Sequence, residues 1–378
     1  MKVLLIPDKF KGSVTADGVI KALSKGILKS VPKTEIHKVL ASDGGDGFLD
    51  AIQNYISADR VSVDTIDPLG RPIKAYYLYK TTTSTAYVEL AKASGIELLT
   101  NAELNVMETS TIGTGIQIMD AILKGAKNII IGLGGSATND GGMGIAHVLG
   151  YRFYDAHGNE LSPCGKNLNL ISKILKVDEN PLWKGISFTA VNDVTNPLYG
   201  EEGAAFVYAQ QKGADRSQIE VLDIGLRNLA FVVEKTMGAD LSLLPGTGAA
   251  GGTAYGLKAF FSAQFISGIE FLFQLAGIPK LLKETSIDYI ITGEGKIDSQ
   301  TLHGKLIKGV MDIGIQYQIP VIAVCGKLDV DKTEIESKGL QAALEVMDTT
   351  KPLQYSMDHA AELIEKTIFN YFEEQKIN

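Results

Sequence analysis

The stretch GLGGSATNDGGMG, from Gly132 to Gly144, contains six glycines in thirteen residues. It follows the apolar, β-branched run Ile129 to Ile131 and precedes a predicted helix from Ile145 to Leu149. Glycine costs about 0.5–1 kcal/mol relative to alanine wherever ordinary backbone suffices, so this density indicates positive φ angles or close approach to a ligand. The start of a helix after a strand is also a place where backbone amides hold an anion. The stretch therefore predicts a strand–loop–helix unit with a ligand-binding loop, against the alternative of a tightly packed turn.

The composition is that of an ordinary globular protein and argues against several classes. With 378 residues the chain exceeds what one hydrophobic core usually supports, so two domains are expected. A net charge of −8 argues against nucleic-acid and membrane partners. Cys164 and Cys325 form neither a CxxC pair nor a disulfide framework. No apolar run approaches the roughly 20 residues that span a bilayer, and the first apolar run is too short for a signal peptide. We therefore expect a cytoplasmic protein.

Strand and helix patterns alternate near both ends of the chain. Five apolar runs are predicted strands: Val3 to Ile6, Ile36 to Ala41, Ile287 to Thr292, Pro320 to Cys325 and Leu340 to Val346. A helix is predicted between Val19 and Ile27, and another near Gly47. The third and fourth runs are each expected to lead into a glycine-containing turn and a helix. This alternation predicts a doubly wound, Rossmann-like (flavodoxin-like) α/β domain with a parallel sheet.

The middle of the chain has a different pattern. Val61 and Val63, the turn at 67–70 and the alternation from Ile73 to Tyr79 predict antiparallel strands, which Ala86 to Leu90 extends. We therefore expect a second, mixed α/β domain inserted into the first. The expected division is residues 1–66 and 286–378 for the Rossmann-like domain and residues 67–285 for the inserted domain.

Charged side chains follow the predicted strands of the chain ends, where open parallel sheets bind ligands. The first such loop holds Lys9, Lys11 and Ser13; the second, SDGGDG, holds Asp43 and Asp46; the third, GEGKIDSQ, holds Glu294, Lys296 and Asp298. Two carboxylates in one tight turn repel each other unless a cation lies between them, and Mg²⁺ suits such a pair together with phosphate oxygens. The alternative is a set of solvated charges, with an aspartate capping a helix.

Two further segments of the middle region contain reactive residue types. Asn192 and Asp193 directly follow the apolar run Ile186 to Val191, and an aspartate there can orient and deprotonate a hydroxyl group or hold a metal. It can also simply close an Asx turn. Lys212 is either a phosphate contact or a surface-loop residue. His303, just before Gly304 and Lys305, is either a substrate contact or a loop histidine.

Gly246, Gly248 and Gly251 spell the GxGxxG pattern of dinucleotide-binding loops, and Glu270 lies 19 residues beyond. Its context is poor, because Pro245 precedes the first glycine and the apolar stretch before it is short. The segment can still cradle phosphates, since residues 254–263 are predicted to be helical. A nicotinamide-dependent hydroxy-acid oxidoreductase is therefore the remote alternative function.

Several of these segments, taken in order, resemble a known family. The blocks PDKFKGS, SDGGDG, GLGGSATNDGG, NDVTNPLYGEEGA, QKGA, PGTGAAGG, SGIE and ITGEGKIDSQTLHGK are similar to those of the bacterial glycerate kinases of glyoxylate and glucarate breakdown. The resemblance implies ATP-dependent phosphorylation of D-glycerate, usually at the 2-hydroxyl, and two α/β domains with the active site in the cleft between them. Departures include Lys9 in place of a frequent serine, Phe48 in place of threonine and Asn192 in place of cysteine.

With that reaction, the singled-out residues take expected roles, and ATP and Mg²⁺ are the expected cofactors. Catalysis is assigned to Asp193, Lys11 and Lys296. Metal binding is assigned to Asp43, Asp46 and Asp298. Nucleotide binding is assigned to Gly134, Gly135, Ser136, Thr138, Gly246, Gly248 and Gly251. Substrate binding is assigned to Lys9, Ser13, Glu294 and His303. Phosphorylation at the 3-hydroxyl, another small sugar acid, and a catalytically silent sensor stay as alternatives, and a homodimer is compatible with the sequence.

Overall fold

Two units make up the chain in the computed structural model, which describes residues 1–40, 47–176, 185–238, 240–298 and 305–376. One unit comprises Met1–Asp46 and Gly268–Asn378, and the other comprises Gly47–Ser267. The chain ends therefore build one unit, and the middle builds the other. Within the described ranges, no helix combines the length and apolar character needed to cross a membrane.

The strands are, in chain order, β1 (Lys2–Pro7), β2 (Glu35–Lys38), β3 (Asp59–Ile66), β4 (Pro72–Lys80), β5 (Thr85–Glu89), β6 (Asn128–Gly132), β7 (Tyr151–Tyr154), β8 (Lys173–Lys176), β9 (Ser187–Val191), β10 (Gln264–Ile266), β11 (Tyr289–Ile297), β12 (Val321–Leu328) and β13 (Leu340–Glu345). The helices are α1 (Ala16–Ser30), α2 (Phe48–Gln53), α3 (Ala91–Ser94), α4 (Ile112–Leu123), α5 (Met143–Val148), α6 (Ala204–Tyr208), α7 (Arg216–Met237), α8 (Ala249–Phe261), α9 (Gly268–Leu275), α10 (Ile278–Glu284), α11 (Lys305–Tyr317), α12 (Lys332–Ser337), α13 (Leu353–Asp358) and α14 (Ala360–Glu374).

The unit of the chain ends contains a five-stranded sheet in the order β13-β12-β11-β1-β2. All four strand pairs are parallel, as the alternation of strands and helices predicts. Residues 3–6 of β1, which lies between β11 and β2, are fully buried. Helices α1 and α14 contribute Ile27 and Ile368 to the hydrophobic cluster that also contains Val3 and Leu5. The first and last helices therefore cover the same face of the sheet.

The middle unit contains a six-stranded sheet in the order β10-β9-β6-β5-β4-β3. Its β3–β4 and β4–β5 pairs are antiparallel, whereas β5, β6, β9 and β10 are parallel to one another. A separate antiparallel pair, β7–β8, shares a second hydrophobic cluster with α7 and α8. The predicted combination of two α/β domains, one with a parallel sheet and one mixed, is confirmed.

The observed division lies about twenty residues before each expected boundary, at 46 and 267 instead of 66 and 285. Strand β3 pairs with β4 along its whole length, so residues 47–66 group with the middle unit. Helices α9 and α10 group with the chain ends, and α9 packs against α11. Composition alone does not indicate a domain boundary at these positions, because which unit a segment joins depends on the strand or helix that it packs against.

The turns expected directly after Thr292 and Cys325 are wrong. Strands β11 and β12 stay extended and paired through these glycine-containing segments. A Cβ atom on Gly293 would lie 2.2 Å from the carbonyl oxygen of Val324, which is far inside contact distance. Glycine here permits close approach of neighbouring strands, and both strands carry their charged residues further along the sheet than the sequence suggests.

Candidate active site

One edge of the middle unit brings together two of the segments that the sequence singled out. The carboxyl ends of its parallel strands share that edge, which is where open α/β sheets bind ligands. Gly132 at the end of β6 pairs with Val191 at the end of β9. The amide of Leu133 then donates to the carbonyl oxygen of Val191 at 3.1 Å. The glycine-rich loop and the segment that contains Asn192 and Asp193 therefore begin side by side.

The glycine-rich loop is open at Gly134 and Gly135. Both residues are exposed, and a Cβ atom on Gly134 would meet no described atom within 4 Å. Gly135 has a φ of 70°, a left-handed conformation that favours glycine. Neither amide donates a hydrogen bond to any residue that the structure describes. Two adjacent backbone amides that have no acceptor within the described chain, placed at a strand end, can bind a phosphate or carboxylate oxygen.

The carboxylate of Asp140, not an external anion, fills the amino end of helix α5. Its two oxygens accept from the amides of Gly142 and Gly144 at 3.1 Å each, and from the amide and hydroxyl of Thr111 at 2.8 Å each. Burial raises the pKa of this carboxyl group, and the hydrogen bonds from Thr111 oppose that rise. The chain therefore supplies its own anion at this helix start, and the ligand predicted for the loop stays a prediction for its open part at Gly134 and Gly135.

Ser136 and Thr138, both predicted nucleotide contacts, are buried, and Lys212 lies beside them. The ammonium of Lys212 donates to Ser136 Oγ at 2.8 Å and to the Thr138 carbonyl oxygen at 2.7 Å. Lys212 is only 3% exposed, so it is not the surface-loop residue that one interpretation expected. Burial lowers its pKa to about 7, and the negative charge of Asp140 acts in the opposite direction. Sequence reasoning did not assign this residue, because a lysine before a glycine carries no signal for burial.

The second glycine-rich segment packs against the first. Gly246, Gly248 and Gly251 are all buried. A Cβ atom on Gly251 would lie 2.0 Å from the carbonyl oxygen of Thr138, and the amide of Gly141 donates to the carbonyl oxygen of Gly251 at 3.1 Å. The described contacts thus give Gly251 a packing role, and nucleotide binding by Gly246, Gly248 and Gly251 stays a prediction. No strand lies in residues 240–245, so the dinucleotide-binding context of GxGxxG is missing there.

Asp193 lies exposed on a loop that is anchored on both sides. On one side the amide of Asn192 donates to the carbonyl oxygen of Ile266 at 3.1 Å. On the other, Tyr208 donates its hydroxyl proton to Asn196 Oδ1 at 2.6 Å. The loop backbone is therefore held on both sides of Asp193, directly after the carboxyl end of β9.

In the unit of the chain ends, the loop after β1 is a tight turn closed by an antiparallel bridge. Lys11 is exposed in this turn, and Lys9 is half-buried. The amide of Lys9 donates to Asp8 Oδ1 at 2.6 Å. The hydroxyl of Ser13, a predicted substrate contact, donates to the carbonyl oxygen of Met357 at 2.8 Å. Of the predicted side chains on this loop, Lys11 and Ser13 are therefore exposed and Lys9 is half-buried.

Lys296 lies in an exposed group of opposite charges near the ends of β11 and β12. Its ammonium is 2.9 Å from Asp329 and 3.1 Å from Asp298, and Lys327 is 3.6 Å from Asp329. The hydrogen bonds to Asp329 and Asp298 raise the pKa of Lys296, and the bond from Lys296 lowers the pKa of Asp329. Glu294 is half-buried on β11. Sequence reasoning missed Asp329, whose only signal is its place directly after a strand.

Three predicted site residues, Asp43, Asp46 and His303, lie outside the described residues. Among the residues that are described, no group of three or more histidine, cysteine or acidic side chains is arranged to hold a metal ion. Asp298 is the one predicted magnesium ligand within them, and it pairs with Lys296. The described side chains alone therefore do not form a complete Mg²⁺ site.

The fold and these edges define a class of protein. Two α/β units, each with glycine-rich or charged loops at the carboxyl ends of parallel strands, are typical of enzymes that bind small anionic or phosphorylated ligands. The glycerate kinase family profile matches residues 3–374. Glycerate 2-kinase of Escherichia coli K12 is 37% identical over 347 residues, covering 92% of this chain and 91% of that protein. Glycerate kinase of Bacillus subtilis 168 is 34% identical over 97% of this chain and 96% of that protein.

A solved structure agrees with these relatives. The crystal structure of a candidate glycerate kinase 2 from Salmonella typhimurium LT2 superimposes with a TM-score of 0.79. It is 36% identical in sequence and covers all of this chain and 98% of its own. The chain therefore belongs to the glycerate kinase family, and it is an enzyme, a kinase of the transferase class.

Proposed function

We propose that this enzyme transfers the γ-phosphoryl group of MgATP to the 2-hydroxyl of D-glycerate and releases 2-phosphoglycerate. The name of the Escherichia coli relative supports the acceptor position. The observation that carries the proposal is the pair of exposed amides at Gly134 and Gly135, beside the loop of Asp193. Phosphoryl transfer depends mainly on positioning and on neutralising charge, and this edge supplies groups for both.

Asp193 is the residue that we propose to orient the acceptor hydroxyl and to accept its proton. Its carboxylate is exposed on an anchored loop, so a bound hydroxyl can approach it without a rearrangement of the sheet. A positioned carboxylate of this kind contributes about 10²–10⁴-fold to the rate. The amides of Gly134 and Gly135 would hold a phosphate oxygen or the carboxylate of glycerate.

Lys11 and Lys296 are proposed to neutralise negative charge on the transferred group or on the glycerate carboxylate. A lysine ammonium is a compact point charge with three donors, which suits a phosphate oxygen. The acidic neighbours Asp298 and Asp329 keep Lys296 protonated, and an incoming anion must compete with them. Lys9, Ser13, Glu294 and His303 stay predicted substrate contacts.

Mg²⁺, when bound with ATP, neutralises charge on the phosphate oxygens and orients them. Asp43, Asp46 and Asp298 stay its predicted ligands, and a carboxylate oxygen is the donor that Mg²⁺ prefers. The cytoplasmic location, the place in glyoxylate metabolism and homodimer formation likewise stay predictions from the sequence.

One reaction tests the proposal directly. The protein is incubated with ATP, Mg²⁺ and D-glycerate, and the product is identified by phosphorus NMR. The expected products are ADP and 2-phosphoglycerate in equal amounts. A 3-phosphoglycerate signal would overturn the acceptor position alone, whereas no ADP release would overturn the proposed function. Reduction of NAD or NADP by glycerate would favour the oxidoreductase alternative.

A further inference from the structure

Lys212 is a buried cation beneath the loop that carries Gly134 and Gly135. Its two hydrogen bonds reach the side chain of Ser136 and the backbone of Thr138, the residues that follow the two open glycines. The Thr138 hydroxyl and both amide atoms of Asn139 are also buried, and they have no partner among the described residues. The interior under the loop is therefore polar, and Lys212 is the cation within it.

Burying a lysine this deeply is costly, because desolvation disfavours the charged ammonium. An apolar side chain of similar length would avoid that cost, and replacing buried charges with well-packed apolar groups is often neutral or stabilising. Stability of the fold alone therefore does not explain a lysine at this position. Its contacts with Ser136 and Thr138 indicate that the lysine is kept there to hold the loop.

The loop is held at Gly135 and at the residues that follow it, although the amides of Gly134 and Gly135 stay without an acceptor among the described residues. The amide of Ile96 donates to the carbonyl oxygen of Gly135 at 2.9 Å. The amide of Ala137 donates to the carbonyl oxygen of Ser94 at 2.9 Å, and Thr109 donates its hydroxyl proton to the carbonyl oxygen of Ala137 at 2.9 Å. Lys212 adds contacts at the residues on either side of Ala137. The direction in which the amides of Gly134 and Gly135 point therefore depends on how residues 135–138 are held, and Lys212 contributes two of the contacts that hold them.

We propose that Lys212 is a positioning residue, which holds Ser136 and Thr138 so that the amides of Gly134 and Gly135 face the bound anion. This inference rests on the proposed function, since it assigns the two amides to one of the two substrates. Lys212 does not touch the substrate itself, because the structure buries it under the loop. It acts through the backbone that it holds.

The test compares Lys212→Met with Lys166→Met, a matched removal of a lysine charge. Lys166 is exposed and pairs with Glu108 at 2.7 Å, in the same unit. Lys212→Met is expected to raise the KM of one substrate, ATP or D-glycerate, by about tenfold or more while kcat changes less than about threefold. Lys166→Met is expected to leave both constants within about twofold of the original. A loss of stability with both KM values unchanged would mean a structural role only and would overturn the inference.

A second variant shows whether Lys212 acts through Ser136. Ser136→Ala removes one of the two partners and is expected to raise the KM of the same substrate. In the double variant the two effects on KM are expected to be clearly less than additive, because each substitution removes the same contact between Lys212 and Ser136. Full additivity would overturn the inference. If Lys212→Met does not fold, Ser136→Ala carries the KM test alone, and an unchanged KM in that variant would be the overturning result.

Hydrogen exchange separates this inference from the proposed function. The amides of Ala137 and Gly141 are hydrogen-bonded in the loop, so their exchange reports how firmly it is held. We expect both to exchange about tenfold faster in Lys212→Met than in Lys166→Met, without ligand. If the original protein did not phosphorylate D-glycerate, the proposed function would fail, and this exchange measurement would still decide whether Lys212 holds the loop. Equal exchange in the two variants would overturn the inference.

Discussion

At the scale of single residues, the structure separates side chains that share a sequence block. Asp140 and Asn139 belong to the same glycine-rich stretch as Gly134, yet they are fully buried while Gly134 is exposed. Asp140 acts as the internal anion for helix α5, and Asp193 on the neighbouring loop is exposed to solvent. Of the two aspartates, the exposed one, Asp193, is therefore the residue that we propose for the substrate hydroxyl.

Replacing Asp193 with asparagine keeps the size of the side chain and removes its basic oxygen. We expect kcat to fall at least about 10²-fold, because the amide cannot accept the hydroxyl proton. The circular dichroism spectrum should not change, since the side chain is exposed. Asp64→Asn, which alters an exposed aspartate on β3 that pairs with Lys74, should leave kcat unchanged. An Asp193→Asn enzyme with near-original turnover would remove Asp193 from the mechanism.

The lowered pKa of Lys212 predicts a pH dependence of stability. Burial lowers that pKa from 10.5 to about 7, so the unfolded chain keeps the proton over a pH range in which the folded protein has released it. Between these two pH values the unfolded state binds more protons, and the free energy of unfolding therefore rises with pH. Below about pH 7 Lys212 is protonated in both states, so burying its charged ammonium lowers the free energy of unfolding by the full amount.

Urea unfolding of the original protein and of Lys212→Met across this range measures the effect. The stability of the original relative to the variant should rise from about pH 7 to pH 10.5. Lys166 has a raised pKa, so Lys166→Met should show no such rise below pH 10.5. If the difference in unfolding free energy between the original protein and Lys212→Met did not vary with pH, the lowered pKa of the buried lysine would be contradicted.

At the scale of elements, the two glycine-rich segments behave as one structure. Residues 250–252 at the start of α8 take left-handed backbone angles, and they place the backbone of Gly251 directly against Thr138 and Asn139. The first segment carries the open amides of Gly134 and Gly135, and the second packs against residues 138–141 of the first. Glycine density alone predicted a ligand loop at both segments, because it does not distinguish approach to a ligand from approach to another chain segment.

Gly251→Ala tests this supporting role. The added methyl group would lie 2.0 Å from the Thr138 carbonyl oxygen. We therefore expect the free energy of unfolding to fall by at least about 2 kcal/mol more than in a control glycine that also has a left-handed backbone. Gly158→Ala is that control, since its φ of 83° is also left-handed but the new methyl group meets nothing described within 4 Å. Chemical denaturation measures both. Equal losses would mean that only backbone conformation, and not the contact, makes glycine necessary at Gly251.

At the scale of the whole molecule, the chain ends depend on each other. Strand β1 lies between β2 and β11, and helices α1 and α14 share one hydrophobic cluster. The unit therefore cannot complete its core until its last helix is made. The middle unit, in contrast, is continuous in sequence from 47 to 267.

Ile368→Ala on α14 measures how strongly the last helix supports the unit. Ile368 is fully buried, so the variant should lose about 2–5 kcal/mol of unfolding free energy from the cavity that it leaves. Leu353→Ala removes an aliphatic side chain that is 62% exposed and should change stability by less than about 0.5 kcal/mol. Urea denaturation followed by circular dichroism compares the two. A loss as small as that of Leu353→Ala would mean that α14 contributes little to the core.

Much of the fold was predictable from the sequence. Apolar patterns predicted β1, β6 and the antiparallel β3–β4 pair, because each has a run or an alternation of apolar residues that is typical of strands. The unit boundaries were not predictable, since they depend on which strand pairs with β3. The length of β11 was also missed, because glycine in a strand and glycine in a turn look alike in sequence.

The sequence by itself determined the two α/β units, the family and the residues from which a site can be built, since these follow from local periodicity and from ordered blocks of residues. Only the tertiary structure decided which of those residues face solvent and which are buried. Lys212 and Asp140 lie 72 residues apart in the chain, and nothing local to either one indicates that both are buried by the same loop. Burial depends on contacts between distant segments, and those contacts set whether a charged group binds a ligand or holds the backbone that does.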